Sequence, residues 1–379
     1  MDSAQLRRLA HDHRDHYLQL LEALVRCETP SRDRAGADAF VELLAQRLTS
    51  DGWSLRREAR DEVGDILLAQ LRAGAPGPST LLLCHYDTVH PRGSFGSRVW
   101  LVDGDRAAGP GVLDMKAGIA AAVLAPTLLA AAGLAPAGPI TLLVSSDEEI
   151  GSDASRALIE SEAKRHDRVL VLEPSRDDGA LKTGRKGVAG YDVSVRGLAS
   201  HAGLAPQDGA SALLELSHLV IELSTLGDDA VGTTVTPTVA SAGTATNVVP
   251  ERATLAVDVR VPSLAEAERV DAAVRGYAPR DARVRVEVEG GLNRPPMEAN
   301  AVNAPLFERA RALAAAAGWS VDGAVVGGGS DGNFTAALGV STLDGLGSVG
   351  GGAHTGSEHI RIGDSLDRLG LLAALLTEG

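Results

Sequence analysis

Four short runs of this 379-residue chain are apolar almost without interruption: 66–71 (ILLAQL), 80–84 (TLLLC), 140–145 (ITLLVS) and 169–172 (VLVL). Helical stretches lie between them, notably 117–132 and 155–164. A strand that is apolar on both sides has to be covered on both sides, and helices between such strands provide the cover. The pattern therefore predicts an α/β fold with a largely parallel central sheet flanked by helices. Aromatic residues are only 3% of the chain, so Ala, Leu and Val have to fill its core. The length exceeds what one hydrophobic core usually organises, which predicts two domains.

The texture changes near residue 184. Residues 188–195 (VAGYDVSV), 253–261 (ATLAVDVRV) and 283–289 (RVRVEVE) alternate like half-buried strands, with a Thr/Val-rich strand region at 233–240. Helical patterns at 210–226 and 263–275 complete a ferredoxin-like α+β set, a small antiparallel sheet with two helices on one face. From about 291 the α/β texture resumes, with a helix at 304–317, a strand at 323–326 and a helix near 364–377. The expected organisation is a discontinuous domain, 1–183 and 291–379, interrupted by an inserted domain at 184–290. Residues 4 to about 50 read as helical, with breaks at Pro30 and around Gly36.

Charge narrows the function. The formal net charge is −14 and basic residues form no long run, which speaks against nucleic acid and anionic membrane as partners. Two cysteines, Cys27 and Cys84, cannot make a disulfide framework in a chain of this length. The amphipathic, charged N-terminus has no signal-peptide core, and no stretch approaches ~20 uninterrupted apolar residues. These features predict a cytoplasmic protein.

Five polar spots fall at strand ends or in glycine-rich turns. His85-Tyr86-Asp87 follows the run 80–84, at the end of a parallel strand, where sites assemble. The spacing lets His85 bind a metal while Asp87 orients its ring. Asp114 opens the apolar helix, where a lone Asp is ordinarily a cap. Asp147-Glu148-Glu149 follows 140–145; three adjacent acids make either a solvated loop or a metal ligand beside a general base. Glu173 ends 169–172 before Pro174, a place also common for a turn acid, and His354 lies in a glycine-rich loop. Together, two histidines and several carboxylates form an N/O donor set suited to zinc, cobalt or manganese. If Asp114 bridges two ions, each receives one His and one further carboxylate. A shared water between ions ~3.5–4 Å apart would then be activated for hydrolysis.

These motifs carry a resemblance from about residue 15 to the C-terminus. HYDTV at 85–89, GPGVLDMKAG at 109–118, DEEIGS at 147–152 and EP at 173–174 are joined by GRKG at 184–187 and SHAG at 200–203. TNVVP at 246–250, DVR at 258–260 and GGGSDGN at 327–333 follow in order. The chain resembles the M20 metallopeptidase family, in its glutamate carboxypeptidase branch and its acetylornithine/succinyl-diaminopimelate deacylase relatives. The resemblance implies two Zn²⁺, with Co²⁺ or Mn²⁺ as substitutes. His85 and His354 would each bind one ion, Asp114 would bridge both, and Glu149 and Glu173 would complete the two sets. Glu148 would be the general base and Asp87 would orient His85. The Asp114–Met115 peptide would be cis.

The same resemblance makes the inserted domain a lid and dimerisation domain. His201 and Asn247 would stabilise the oxyanion, and Arg260 would pair with a substrate carboxylate, although Asp258 is a nearby alternative partner. Arg294 matches a second arginine position, and the turn at 327–329 would bring substrate to Ser330 and Asn333. Met115 departs from the branch, which often has an acid there, and this loosens any assignment to folate or glutamate substrates. The expected activity is hydrolysis of an N-acyl or peptidyl amide next to a free carboxylate, by a homodimer joined through the lid. An N-acetyl amino acid or acetylornithine-type deacetylase is the alternative, and a non-catalytic metal or amino-acid binding protein is the alternative of another class.

Overall fold

The computed structural model of the chain describes residues 3–378; the outermost residues of the expected first domain, 1, 2 and 379, lie outside it. Two compact units are present. The first comprises Met1–Gly184, Ala299–Val326 and Ser330–Gly379, and the second Arg185–Glu298 with Gly327–Gly329.

In the first unit a six-stranded sheet runs in the order Ser54–Glu58, Ile66–Leu71, Ile140–Ser145, Thr80–His85, Arg168–Val171, Ser341–Leu343. Thr80–His85 pairs in parallel with Ile140–Ser145 and with Arg168–Val171, which pairs in parallel with Ser341–Leu343. The first two strands are antiparallel. The sheet is therefore parallel through its centre and antiparallel at one side.

Alternation along the central strands explains their unbroken apolar character. Leu82, Leu142 and Leu170 enter the cluster that holds Leu24 and Leu372, whereas Leu81, Leu83, Leu143, Val169 and Val171 enter a second cluster with Ile159. Both faces are thus covered, which is why the strands are apolar on both sides. The helix Ala117–Ala131 is buried nearly all round. Its second residue, Gly118, is required by packing: a Cβ there would sit 2.1 Å from the carbonyl oxygen of Leu172.

One sequence expectation needs correction here. Gly36 does not break a helix; it lies in the first turn of Arg34–Ser50, where its N–H is accepted by the Asp33 cap, and the unforeseen break is at His13, between Ser3–Asp12 and Arg14–Arg26. The segment Val112–Ala131 is, among the described residues, long and apolar enough to cross a membrane, but most of it is buried inside the unit.

The second unit has the element order β-α-β-β-α-β. Its antiparallel sheet runs Thr234–Ala242, Arg252–Val261, Gly187–Arg196, Arg285–Arg294. The helices Ala212–Ser224 and Leu264–Arg275 share one apolar cluster with the sheet through Leu216, Leu219, Val270 and Val274. Each begins on a serine cap, Ser211 and Ser263, whose hydroxyl accepts a backbone N–H of the first turn. The unit ends at 298 rather than 290, because Arg285–Arg294 stays paired with Gly187–Arg196 and Met297 bridges to Arg185.

Candidate metal centre and active site

His85 is the last residue of a central strand and is buried. Its Nδ1 lies 3.1 Å from the carbonyl oxygen of Asp87 and 3.4 Å from that residue's Oδ1. An acceptor at Nδ1 assigns one ring proton there, which leaves Nε2 as the nitrogen that a metal ion would engage on displacing its proton. Nε2 faces Asp114 Oδ1 at 3.1 Å and Glu173 Oε1 at 3.4 Å.

The other oxygen of Asp114 faces the second histidine. His354 Nε2 is 3.4 Å from Asp114 Oδ2 and 3.2 Å from Glu149 Oε2. Asp114 sits in the turn Val112–Lys116 with non-helical φ −117° and ψ 93°, and its peptide bond to Met115 is cis. Gly111, just before the turn, has φ +69°, and a Cβ there would lie 2.6 Å from the Thr88 methyl. Only glycine meets both conditions.

The donor set fits metal ions. Two donors on one tetrahedral ion, with bonds of about 2.0–2.2 Å, lie roughly 3.3–3.5 Å apart. The four N···O separations above run from 3.1 to 3.4 Å. The arrangement divides into His85/Asp114/Glu173 and His354/Asp114/Glu149, with one oxygen of Asp114 in each. The ligand atoms of His85, Asp114 and Glu149 lie within 4.8 Å of one another, as do those of His85, Glu148 and Glu173, so Glu148 stands beside the donors.

Electrostatics point the same way. Burial opposes charge on His85, yet hydrogen bonds to Asp114, Asp87 and Glu173 raise its pKa well above the ordinary imidazole value. Burial also opposes the Asp114 carboxylate, but the bonds from His354 and His85 hold it far below its usual range. His354 is pushed up to about 10 by Asp114 and Glu149. Burial raises Glu149, and His354 works against that shift. Protons on two imidazoles thus balance the clustered acids, a role that bound cations would take over.

Asp87 does more than face His85. Its Oδ1 accepts the backbone N–H of Glu148 at 3.1 Å, and its Oδ2 accepts that of Glu149 at 3.2 Å and the Ser31 hydroxyl at 2.8 Å. One carboxylate therefore joins the histidine turn to the acidic turn.

Sequence reasoning passed over Glu358. It is buried, and its oxygens accept the backbone N–H groups of Gly111, Leu113 and Asp114 at 3.0, 2.8 and 3.0 Å, while His90 Nε2 lies at 2.6 Å. The one available signal was its position four residues after His354.

Ser330 and Asn333 are fully buried: the Ser330 hydroxyl donates to Asp344 at 2.6 Å, and the Asn333 side-chain oxygen accepts the Ser330 N–H at 2.9 Å. These bonds tie both side chains into the turn itself.

In the second unit, His201 Nδ1 accepts the N–H groups of Gly203 and Leu204, both at 3.1 Å, so its neutral ring carries the proton on Nε2. A bridge between His201 and Val248 sets Asn247 alongside. Arg260 is held by Asp258 through two bonds of 2.9 and 2.8 Å, the alternative pairing noted from sequence. Arg294 is buried, with its Cδ against the position of Gly329.

Comparison with known proteins adds the following. A model of peptidase family M20/M25/M40 matches residues 81–378. The chain is 35% identical to carboxypeptidase G2 of Pseudomonas sp. (strain RS-16), over 97% of this chain and 90% of that one. It is 31% identical to succinyl-diaminopimelate desuccinylase of Alkalilimnicola ehrlichii, over 95% and 99%. Among solved structures, the aminopeptidase PepT of Bacillus cereus superposes with a TM-score of 0.78 at 21% identity, over 96% of this chain and 98% of that one. An M20 family metallo-carboxypeptidase of Sulfolobus solfataricus gives 0.72 at 18% identity, over 95% and 98%. At these identities the structural likeness speaks for the fold alone.

Proposed function

This chain belongs to peptidase family M20/M25/M40 and is a carboxypeptidase- or desuccinylase-like hydrolase, and from that premise we propose a two-ion amidohydrolase. Its substrate is an N-acyl or peptidyl amide next to a free carboxylate, and its product an amino acid. The observation that carries the reading is Asp114, whose two oxygens each face a different histidine while Glu148 stands beside the set.

His85 and Glu173 would hold one ion, His354 and Glu149 the other, with Asp114 common to both; zinc is the proposed metal, with cobalt or manganese as substitutes. Bound there, such ions lower the pKa of an attacking water and polarise the scissile carbonyl. Glu148 takes the proton of that water and returns it to the leaving nitrogen, since the amine departs only when protonated. The Nε2–H of His201 and the amide of Asn247 are donors for the developing oxyanion, which the Nδ1 bonds of His201 prepare by fixing its tautomer. Arg260 grips the substrate carboxylate by exchanging Asp258 for it, a bidentate partner of the same shape. Arg294 is proposed as a second carboxylate contact. The desuccinylase relatives favour a second reading, deacylation of an N-acylated amino acid by the same groups.

The proposal includes a cytoplasmic homodimer formed through the inserted unit. Leu213, Leu214 and Ile221 stand exposed on the helix Ala212–Ser224, which supports that contact. A monomer in sedimentation would remove this part.

Amine release from N-acetyl amino acids, dipeptides and folyl-glutamate, with Zn²⁺ and with chelator, tests the activity. Glu148→Gln is expected to keep its zinc and lose about 10²–10⁴ in kcat. Unchanged turnover in that variant would remove Glu148 as the base.

A further inference from the structure

A carboxylate that serves two ions at once has to present each oxygen in a set direction, and the backbone that carries it has to be fixed. The turn Val112–Lys116 has no regular helical bonds to do this at Asp114, where φ and ψ leave the helical range. What holds it is Glu358. Four N–H groups converge on its two oxygens: Leu113 N and Asp114 N on Oε1 at 2.8 and 3.0 Å, Gly111 N and His90 Nε2 on Oε2 at 3.0 and 2.6 Å. Successive amides turned towards one anion form a tight, directional cradle. His90 is itself fixed from the side by Phe95, edge to face at 5.0 Å.

Glu358 and His354 belong to one loop, four residues apart. That loop therefore supplies a donor to one side of the centre and grips the backbone of the shared donor. We propose that Glu358, backed by His90, is the positioning residue that sets Asp114 to bridge two ions, an inference that rests on the two-ion reading above. Its action is indirect: it touches neither ion nor substrate, and holds the N–H of Asp114 so that both carboxylate oxygens keep their bearings. Outer partners of metal ligands typically change metal affinity or activity by about 10–100-fold when lost.

The test uses the full chain, stripped and titrated with Co²⁺. Wild type is expected to take up two ions per chain. Glu358→Gln keeps the volume but sets an amide donor against either a backbone N–H or His90. It is expected to melt cooperatively, to bind cobalt about 10–100-fold more weakly and to show an altered cobalt absorption band. Its kcat falls while KM holds, since no substrate contact is touched. His90→Ala follows in the same direction, and His90→Gln less so, because its amide still donates. Glu358→Gln with wild-type cobalt affinity, band and kcat would overturn the inference. If that variant does not fold, His90→Ala decides, and unchanged affinity there overturns it equally. Wild type that binds no cobalt would overturn the two-ion reading and this one together, whereas normal wild-type binding with unaltered variants would overturn this one alone.

Discussion

Asp87→Asn is the substitution whose outcome is best determined by the geometry. The side chain keeps its shape, but one of two buried acceptor oxygens becomes an NH₂ donor. On the Oδ1 side the neighbours are the Glu148 N–H and the His85 ring, both donors. On the Oδ2 side they are the Glu149 N–H and the Ser31 hydroxyl, and a hydroxyl can turn to accept. The amide therefore settles with its oxygen towards Glu148 and its NH₂ towards Ser31. The Glu149 N–H is left without an acceptor. A buried orphaned donor costs about 1–3 kcal/mol, and at 1.4 kcal/mol per decade this is roughly a 5- to 150-fold effect. The loss falls on Glu149, so the ion held with His354 weakens and the ion held with His85 and Glu173 changes little. Titration with Zn²⁺ or Co²⁺ resolves the two steps. Ser31→Ala alone is expected to be mild, but added to Asp87→Asn it removes the acceptor that receives the amide, and the pair should be worse than the sum. Equal affinity of Asp87→Asn and wild type for both ions, or strict additivity with Ser31→Ala, would refute the argument.

Three further outcomes follow from other parts of the structure. In the metal-free protein His354 is raised to about 10 by Asp114 and Glu149, from about 6.5 when unfolded, so its contribution is complete below about 6.5 and is lost as pH rises through about 10. Melting of the chelated protein should fall over that window, modestly because the ring is half exposed, and a flat profile would contradict it. Gly118→Ala would drive a Cβ into the Leu172 carbonyl and move Glu173 next door; a loss of about 1–3 kcal/mol in urea unfolding, with weaker metal binding, is expected. Arg260→Lys cannot reproduce a two-point grip, so KM for carboxylate substrates should rise about tenfold while kcat changes less; an unchanged KM would take Arg260 out of the substrate pocket.

The main sheet was legible because each central strand is apolar on both faces, and its polar punctuation at His85, Glu148, Glu149 and Glu173 stood out against that background. Gly111 and Asp114 were readable for a similar reason, as a polar turn opening an all-apolar helix. Glu358 was not, since it meets Gly111 across 247 residues of chain and nothing local distinguishes it from a surface acid. The anchoring of Glu148 and Glu149 by Asp87 was hidden likewise, because backbone N–H donors leave no mark in the sequence. The bonds that Ser330 and Asn333 make within their own glycine-rich turn were equally hidden, because polar residues in such a turn read the same whether or not they bond to one another. The boundary at 298 escaped because Gly290 and Gly291 look like a strand end, whereas both have positive φ inside a strand that continues.

That last strand and its counterpart across the sheet have a bearing on how copies of the chain meet. The four-stranded sheet of the second unit has two rims, Thr234–Ala242 and Arg285–Arg294. Each is spoiled as a template for a foreign strand. Pro237 offers no N–H, and the register slips between Pro237 and Val239. On the other rim Glu287 and Glu289 add charge, Gly290 and Gly291 bend the backbone, and the register slips again before Arg294. Such devices keep natural sheets from zipping edge to edge into open-ended polymers. Val239, exposed on the first rim, is thereby flanked by a feature that guards against fibre formation.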